Sequence, residues 1–106
     1  MKPSPLVLLA VVLVVATGCA SAQAPDPVAQ GRAQFVAQGC HGCHTIGQLG
    51  TPIAPDLSHV GARYSQAWLV RWLRDPSAHV ADARMPTLEL SEEQVEALAA
   101  YLSSLR

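Results

Sequence analysis

The segment CHGCH at residues 40–44 constrains the chain more than any other feature. Two cysteines separated by two residues, with a histidine directly after the second, are typical of covalent attachment of c-type haem. This spacing places the Cys40 and Cys43 thiols about one helical turn apart, close enough to bond the two vinyl groups of a porphyrin. His44 would then lie beneath the iron and supply its proximal imidazole ligand. The motif therefore predicts one covalently bound haem c.

Two other kinds of site share the bare C-x-x-C spacing, namely zinc sites and thioredoxin-like redox motifs. A structural zinc site normally takes four protein ligands, and the chain has no second cysteine pair. A redox dithiol is expected within a βαβ pattern, which the sequence does not show. Haem attachment is therefore favoured over both alternatives.

The first residues predict export from the cytoplasm. Lys2 precedes an apolar run over residues 6–16, and small residues follow. This is the order of a signal peptide, and the run is shorter than the roughly 20 residues that a membrane-spanning helix needs. We predict a signal peptide over 1–22, a linker over 23–27 and a domain over 28–106. The domain is expected in the periplasm or on the outer face of the cytoplasmic membrane.

Cys19 is a candidate for lipidation. Thr17 and Gly18 before it fit the lipobox of bacterial lipoproteins, although Ala16 replaces the bulky residue usual upstream. The alternative is ordinary cleavage at one of the A-x-A sites within residues 20–24. We prefer lipidation, because an exported free thiol would otherwise have to be tolerated or discarded with the signal. The signal peptide would then end before Cys19, and the lipid would attach the domain to the membrane.

The predicted mature domain is short of core. Cleavage leaves about 80 residues, a size at which a hydrophobic core alone gives marginal stability. A flat and mostly apolar haem would complete such a core. The aromatic residues available to surround it are Phe35, Tyr64, Trp68, Trp72 and Tyr101.

Charge limits the possible partners. The only lysine, Lys2, would be removed with the signal, which leaves six arginines against eight acidic residues. The basic stripe that nucleic-acid binding requires is missing, so we predict no nucleic-acid partner. Docking to another protein is expected to use apolar residues such as Ile46, Ile53 and Val80.

Apolar periodicity and breakers predict an all-α domain with three main helices and a short one. The first helix is expected from Val28 to Gly39, and Gly31 within it suggests close crossing by another helix. Residues 45–54 are predicted as a loop. Asp56 is expected to cap a short helix that ends near Gly61.

The other two main helices have clear start signals. Ser65 is expected to open a helix that Pro76 stops after Asp75. Ser91 and Gln94 form a capping box for the last helix. Its predicted buried stripe comprises Val95, Leu98, Tyr101 or Leu102, and Leu105.

A haem held by one histidine needs a second axial ligand. Met85 is the only methionine of the predicted mature chain, and Pro86 restricts its backbone to an extended form. His59 and His79 are the competing candidates. Met85 is preferred, because it is the one methionine available and lies on a loop stiffened by Pro86. Its thioether sulfur would favour Fe(II) and give a higher reduction potential than a second histidine.

Two further contacts with the haem site are expected. The carbonyl of Pro55 is a candidate acceptor for the free ring nitrogen of His44, although Pro55 can also be an ordinary turn residue. Trp68 and Trp72 share one helix face, and either indole N–H is a candidate donor to a haem propionate.

The order C-x-x-C-H, P-D-L, R-M-P and L-x-x-Y resembles the class I c-type cytochromes. It is similar to the small bacterial members and to the haem domains of respiratory oxidase subunits. The resemblance covers the whole predicted mature domain. It assigns Cys40, Cys43, His44 and Met85 to haem attachment and iron ligation, and Pro55 to the ligand-orienting proline. The chain departs from the family at the usual glycine before that proline, where it has alanine, and in lacking lysines around the haem edge.

This resemblance implies a cytochrome c fold around one haem c. It implies single-electron transfer among redox proteins of a membrane respiratory chain, with closed six-coordinate iron and therefore no enzyme activity. One alternative is a haem c subunit or domain of a larger oxidoreductase. Another is a five-coordinate haem that binds a small gas or peroxide, which would require that Met85 does not ligate.

Overall fold

The structure, a computed structural model, describes Gly18 and residues 25–106. Apart from Gly18, the predicted signal peptide lies outside the described residues, and so do Cys19 and the start of the predicted linker. Within the described part of the chain, no helix is both long and apolar enough to cross a membrane.

Three α-helices form the domain, as the sequence predicts. They are α1 (Pro27–Ala37), α2 (Gln66–Arg74) and α3 (Glu92–Ser104). The segments between them contain 3-10 turns at Cys40–Gly42, Val60–Ala62 and Pro76–Ala78. A small antiparallel hairpin pairs β1 (Thr45–Ile46) with β2 (Leu49–Gly50).

Side-chain caps fix where the helices begin. Asp26 accepts a hydrogen bond from the Val28 N–H, and Pro27 occupies the first turn of α1, where its missing N–H costs nothing. The Ser65 hydroxyl accepts from the Trp68 N–H at the start of α2. These caps place the start of α1 at Pro27, one residue before the predicted domain boundary, and confirm the predicted start of α2.

The capping box of α3 is also present. The Ser91 hydroxyl accepts from the Gln94 N–H, and the Gln94 side chain accepts from the Ser91 N–H. At the other end of α2, Arg74 forms an ion pair with Glu92 in the first turn of α3. Both side chains are exposed, so this pair contributes little to stability.

The core is built on the crossing of α1 and α3 at Gly31. A Cβ atom on Gly31 would overlap the Ala97 carbonyl oxygen and would lie 2.5 Å from the Tyr101 Cβ. The predicted close crossing is therefore confirmed. Phe35 and Tyr101 meet edge to face beside it, with ring centroids 6.1 Å apart. The core cluster comprises Phe35, Val60, Leu69, Val70, Leu73, Val95, Leu98, Ala99, Tyr101 and Leu102.

The segment between the haem motif and α2 differs from the prediction in two respects. The expected loop over 45–54 contains the hairpin, whose two-residue strands are too short to produce an apolar period. The expected short helix is only a 3-10 turn over Val60–Ala62, and its N-cap is His59 rather than Asp56. Asp56 is not available as a cap, because its carboxylate accepts hydrogen bonds from Ser58 and Thr45.

We expect Gly31→Val to lower the free energy of unfolding by about 1–3 kcal/mol, because the added methyl groups would force apart two packed backbones. The measurement is the urea midpoint of the folded protein. Ala33→Val is the matched control, since Ala33 is exposed on the same helix and pays the same cost of β-branching. Equal midpoints for the two variants would contradict the close packing at Gly31.

Candidate functional site

The two cysteines and the histidine of the motif lie on one turn of backbone. Helix α1 is followed by Gly39 in the left-handed region (φ 74°), and the chain passes directly into the 3-10 turn Cys40–Gly42. The N–H groups of Cys43 and His44 donate to the Cys40 carbonyl, at 3.2 and 3.0 Å. Both thiols are free. The fold therefore brings together the three residues that the motif predicts.

The two thiols lie in different environments. Cys40 is half-buried and packs against the core cluster, whereas Cys43 is exposed. Burial raises the pKa of the Cys40 thiol. Conversion of this thiol to a thioether would remove the ionisable group, so the buried position suits covalent attachment.

The imidazole of His44 is oriented by Pro55. Its Nδ1 lies 2.7 Å from the Pro55 carbonyl oxygen. Because a carbonyl can only accept, Nδ1 carries the hydrogen, and in the neutral imidazole Nε2 then has a lone pair for another partner. The expected contact between Pro55 and His44 is thus present, and it selects the tautomer that presents Nε2 as a metal ligand.

Further hydrogen bonds connect the two segments that make this contact. The Thr45 hydroxyl donates to Asp56 Oδ1 at 3.1 Å, and the Leu57 N–H donates to the Thr45 carbonyl at 2.8 Å. The Ser58 hydroxyl accepts from the Gly47 N–H at 2.8 Å and donates to Asp56 Oδ1 at 2.7 Å. We call Thr45, Asp56 and Ser58 the Asp56 cluster.

Asp56 is held as a carboxylate by this cluster. Its Oδ1 accepts from the Ser58 hydroxyl, the Ser58 N–H and the Thr45 hydroxyl. These hydrogen bonds lower the pKa of Asp56, and the Ser58 hydroxyl is the largest cause. The carboxylate is exposed and remains charged at neutral pH. Sequence reasoning missed this cluster and treated Asp56 as a helix cap.

The hairpin lies against the attachment turn. Gly50 has φ 109°, and a Cβ atom there would overlap the His44 carbonyl oxygen, so no other residue fits without strain. The N–H groups of Ile53 and Ala54 donate to the Cys43 carbonyl, at 3.1 and 2.7 Å. Residues 50–54 therefore hold the backbone of Cys43 and His44 in place from the outer side.

Met85, the predicted second ligand, is half-buried and packs against the core cluster. The indole N–H of Trp72 on α2 donates to its sulfur, with a nitrogen–sulfur distance of 3.2 Å. A thioether sulfur has two lone pairs, so one remains for another partner. The structure thus gives the Trp72 N–H a different partner from the propionate considered from the sequence.

Trp72 lies at one end of a row of three stacked aromatic rings. Trp68 stacks between Tyr64 and Trp72, with centroid distances of 4.1 and 5.4 Å. The three aromatic residues are each four apart in the chain, and this spacing is the sequence signal from which the row could have been predicted. His79, a competing ligand candidate, is exposed and lies beside the two tryptophans, 6.1 and 6.4 Å away. His59, the other competitor, is also exposed.

The residues present fit a c-type haem. Two free thiols, an imidazole with an available Nε2 and a half-buried thioether are the donor set that this group uses. Several apolar side chains pack against the core but are only partly buried by the protein, so a flat apolar group could complete their burial. They are Cys40, Ile46, Leu57, Trp68, Met85, Leu90 and Leu105.

Comparison with known proteins identifies the family. The Cytochrome c family model matches residues 28–106. The chain is 38% identical over 86 residues to cytochrome c oxidase subunit 2 of Alkalihalophilus pseudofirmus, covering 73% of this chain and 25% of that protein. It is 32% identical over 96 residues to cytochrome c oxidase subunit 2 of Bacillus sp. strain PS3, covering 76% and 27%. The chain spans about a quarter of the length of these curated relatives. It belongs to the cytochrome c family.

Proposed function

We propose that the chain is a monohaem cytochrome c that carries single electrons outside the cytoplasm, between redox proteins of a membrane respiratory chain. The observation that carries this proposal is the hydrogen bond from His44 Nδ1 to the Pro55 carbonyl. It leaves Nε2 available as a ligand on the same turn as two free thiols. Membership of the cytochrome c family supports haem as the cofactor.

Each site residue has one role in this proposal. Cys40 and Cys43 would hold one haem c through thioether bonds, and His44 and Met85 would ligate its iron. The haem supplies an iron that gains and loses one electron. Pro55 and Trp72 keep the His44 and Met85 side chains in fixed orientations through the hydrogen bonds described above.

The arrangement suits electron transfer better than catalysis. Side chains that are already fixed need little rearrangement when the charge at the site changes. If His44 and Met85 both ligate the iron, no position would be left for a substrate, so we propose that this chain alone is not an enzyme. A five-coordinate haem that binds a small gas or peroxide is the alternative if Met85 does not ligate.

The relatives favour a membrane oxidase as the electron acceptor. Both are named as subunit 2 of cytochrome c oxidase, and this chain matches about a quarter of each. We propose that the domain delivers electrons to such an oxidase, either as a separate carrier or as the haem c part of a larger oxidoreductase. Export by the predicted signal peptide and a lipid on Cys19 would place it on the outer face of the membrane.

We expect Met85→Ala to abolish the weak sulfur-to-iron charge-transfer band of the oxidised protein and to lower the reduction potential, because a thioether ligand favours Fe(II). The measurement is the optical spectrum and potential of protein matured in a host with haem-attachment machinery. His59→Ala and His79→Ala are the controls and should keep the band. A wild-type spectrum without the band, or a Met85→Ala spectrum identical to that of the wild type, would contradict ligation by Met85.

The rate of electron transfer to the natural partner is expected to depend weakly on salt concentration. Ile53 is 73% exposed and Val80 is also exposed, whereas Ile46, the third expected docking residue, packs against the core. Salt slows electrostatically steered association, because the Debye length falls to about 8 Å at physiological ionic strength. The predicted mature chain has no lysine, so docking through apolar residues should gain little from such steering and lose little when salt is added.

The test of this expectation is stopped-flow electron transfer with membranes from the source organism over a salt series. Ile53→Ser should slow the reaction equally at every salt concentration, because it removes apolar contact and adds no charge. A steep fall of the wild-type rate with salt would show that charged residues steer docking and would contradict the apolar surface.

A further inference from the structure

We infer that the Asp56 cluster positions the Pro55 carbonyl against His44 and thereby sets how strongly His44 donates electron density to the iron. The inference rests on the proposed function, since it concerns His44 as an iron ligand. Thr45, Asp56 and Ser58 are positioning residues in this account, because they act through Pro55 and their side-chain hydrogen bonds do not involve the ligand ring.

The acceptor of the His44 hydrogen bond is part of the peptide that joins Pro55 to Asp56. The Pro55 carbonyl belongs to the same rigid planar unit as the nitrogen of Asp56. Pro55 has no N–H through which its own backbone could be fixed. The Ala54 N–H bond to the Cys43 carbonyl holds the chain before Pro55, so the orientation of the Pro55 carbonyl also depends on what holds Asp56 and the residues after it.

Residues 56–58 are held by hydrogen bonds of two kinds, one local and one to a distant segment. The bond from the Ser58 N–H to Asp56 Oδ1, at 3.1 Å, would by itself make only a local turn. Two side-chain hydrogen bonds instead cross to the segment that follows His44. They run from the Thr45 hydroxyl to Asp56 Oδ1 and from the Gly47 N–H to Ser58 Oγ. Together with the Leu57 N–H to Thr45 carbonyl bond, they fix residues 45–47 against residues 56–58.

The strength of the hydrogen bond from His44 affects the reduction potential. A strong hydrogen bond from Nδ1–H increases the basicity of Nε2, and a more basic imidazole stabilises Fe(III) relative to Fe(II). Loosening the Asp56 cluster would lengthen the contact between His44 and Pro55, which is 2.7 Å here. The reduction potential should then rise, and the Nδ1 proton should exchange faster with solvent.

Ser58→Ala and Thr45→Val test the inference without changing charge. Each removes one side-chain bond between the two segments, so each haem-loaded variant should show a higher potential than the wild type. In protein labelled with ¹⁵N-histidine, the His44 Nδ1 proton should exchange severalfold faster in both. A role confined to overall stability would move the unfolding midpoint and leave this exchange unchanged.

Asp56 needs a pair of variants, because removing a negative charge near the site raises the potential by itself. Asp56→Asn loses the charge but keeps an oxygen that can accept the same hydrogen bonds. Asp56→Ala loses both. The inference predicts a larger rise in potential for alanine than for asparagine, and fast proton exchange for alanine only.

Asp26→Ala is the matched control. Asp26 also accepts from the N–H two residues ahead, at 3.1 Å, but at the start of α1. Its loss should destabilise the helix and leave the His44 proton exchange unchanged. Wild-type potentials and exchange rates in the haem-loaded Ser58→Ala and Thr45→Val variants would overturn the inference alone. A wild-type protein that attaches no haem would overturn the proposed function as well.

Discussion

The hydrogen bond between His44 and Pro55 is the contact on which the site depends. It joins the attachment turn, which follows directly from α1, to the segment that leads into α2. A histidine in a short turn would otherwise rotate freely, and a metal ligand must keep one tautomer and one direction. The hairpin contacts the backbone of His44, and the Asp56 cluster connects the segments that contain the two partners, so both limit the movement of this bond.

The helices supply the rigid frame for this contact. The crossing of α1 and α3 at Gly31 fixes the end of α1, from which the attachment turn begins. On the other side, α2 is held against α3 and carries Trp72, whose indole donates to Met85. The two predicted axial ligands thus belong to irregular segments, and each is hydrogen-bonded to a residue outside its own turn. The helices therefore provide the rigid frame, and the irregular segments between them provide the two ligand residues.

The parts of the structure that sequence reasoning predicted correctly depend on local chemistry. The caps at Ser65 and at the Ser91–Gln94 box join groups only three residues apart, so the sequence pattern alone indicates them. Gly31 could be recognised as a packing position because it interrupts a helical pattern. The Asp56 cluster could not be predicted in this way, because it depends on which distant residues meet. By sequence alone Asp56 is a good helix cap, and only the fold brings Thr45 beside it. The same holds for Trp72, whose donor reaches Met85 only through the tertiary fold.

The central claim is that Cys40, Cys43, His44 and Met85 together hold one haem that exchanges one electron. Its most direct test is a spectroelectrochemical titration of the purified wild-type protein, with the haem content of the denatured chain measured in parallel. The account predicts one haem per chain that stays attached on denaturation, and a reversible transition that follows a one-electron Nernst curve between two low-spin six-coordinate spectra. A haem that is released on denaturation, or a high-spin spectrum with an open coordination position, would contradict it.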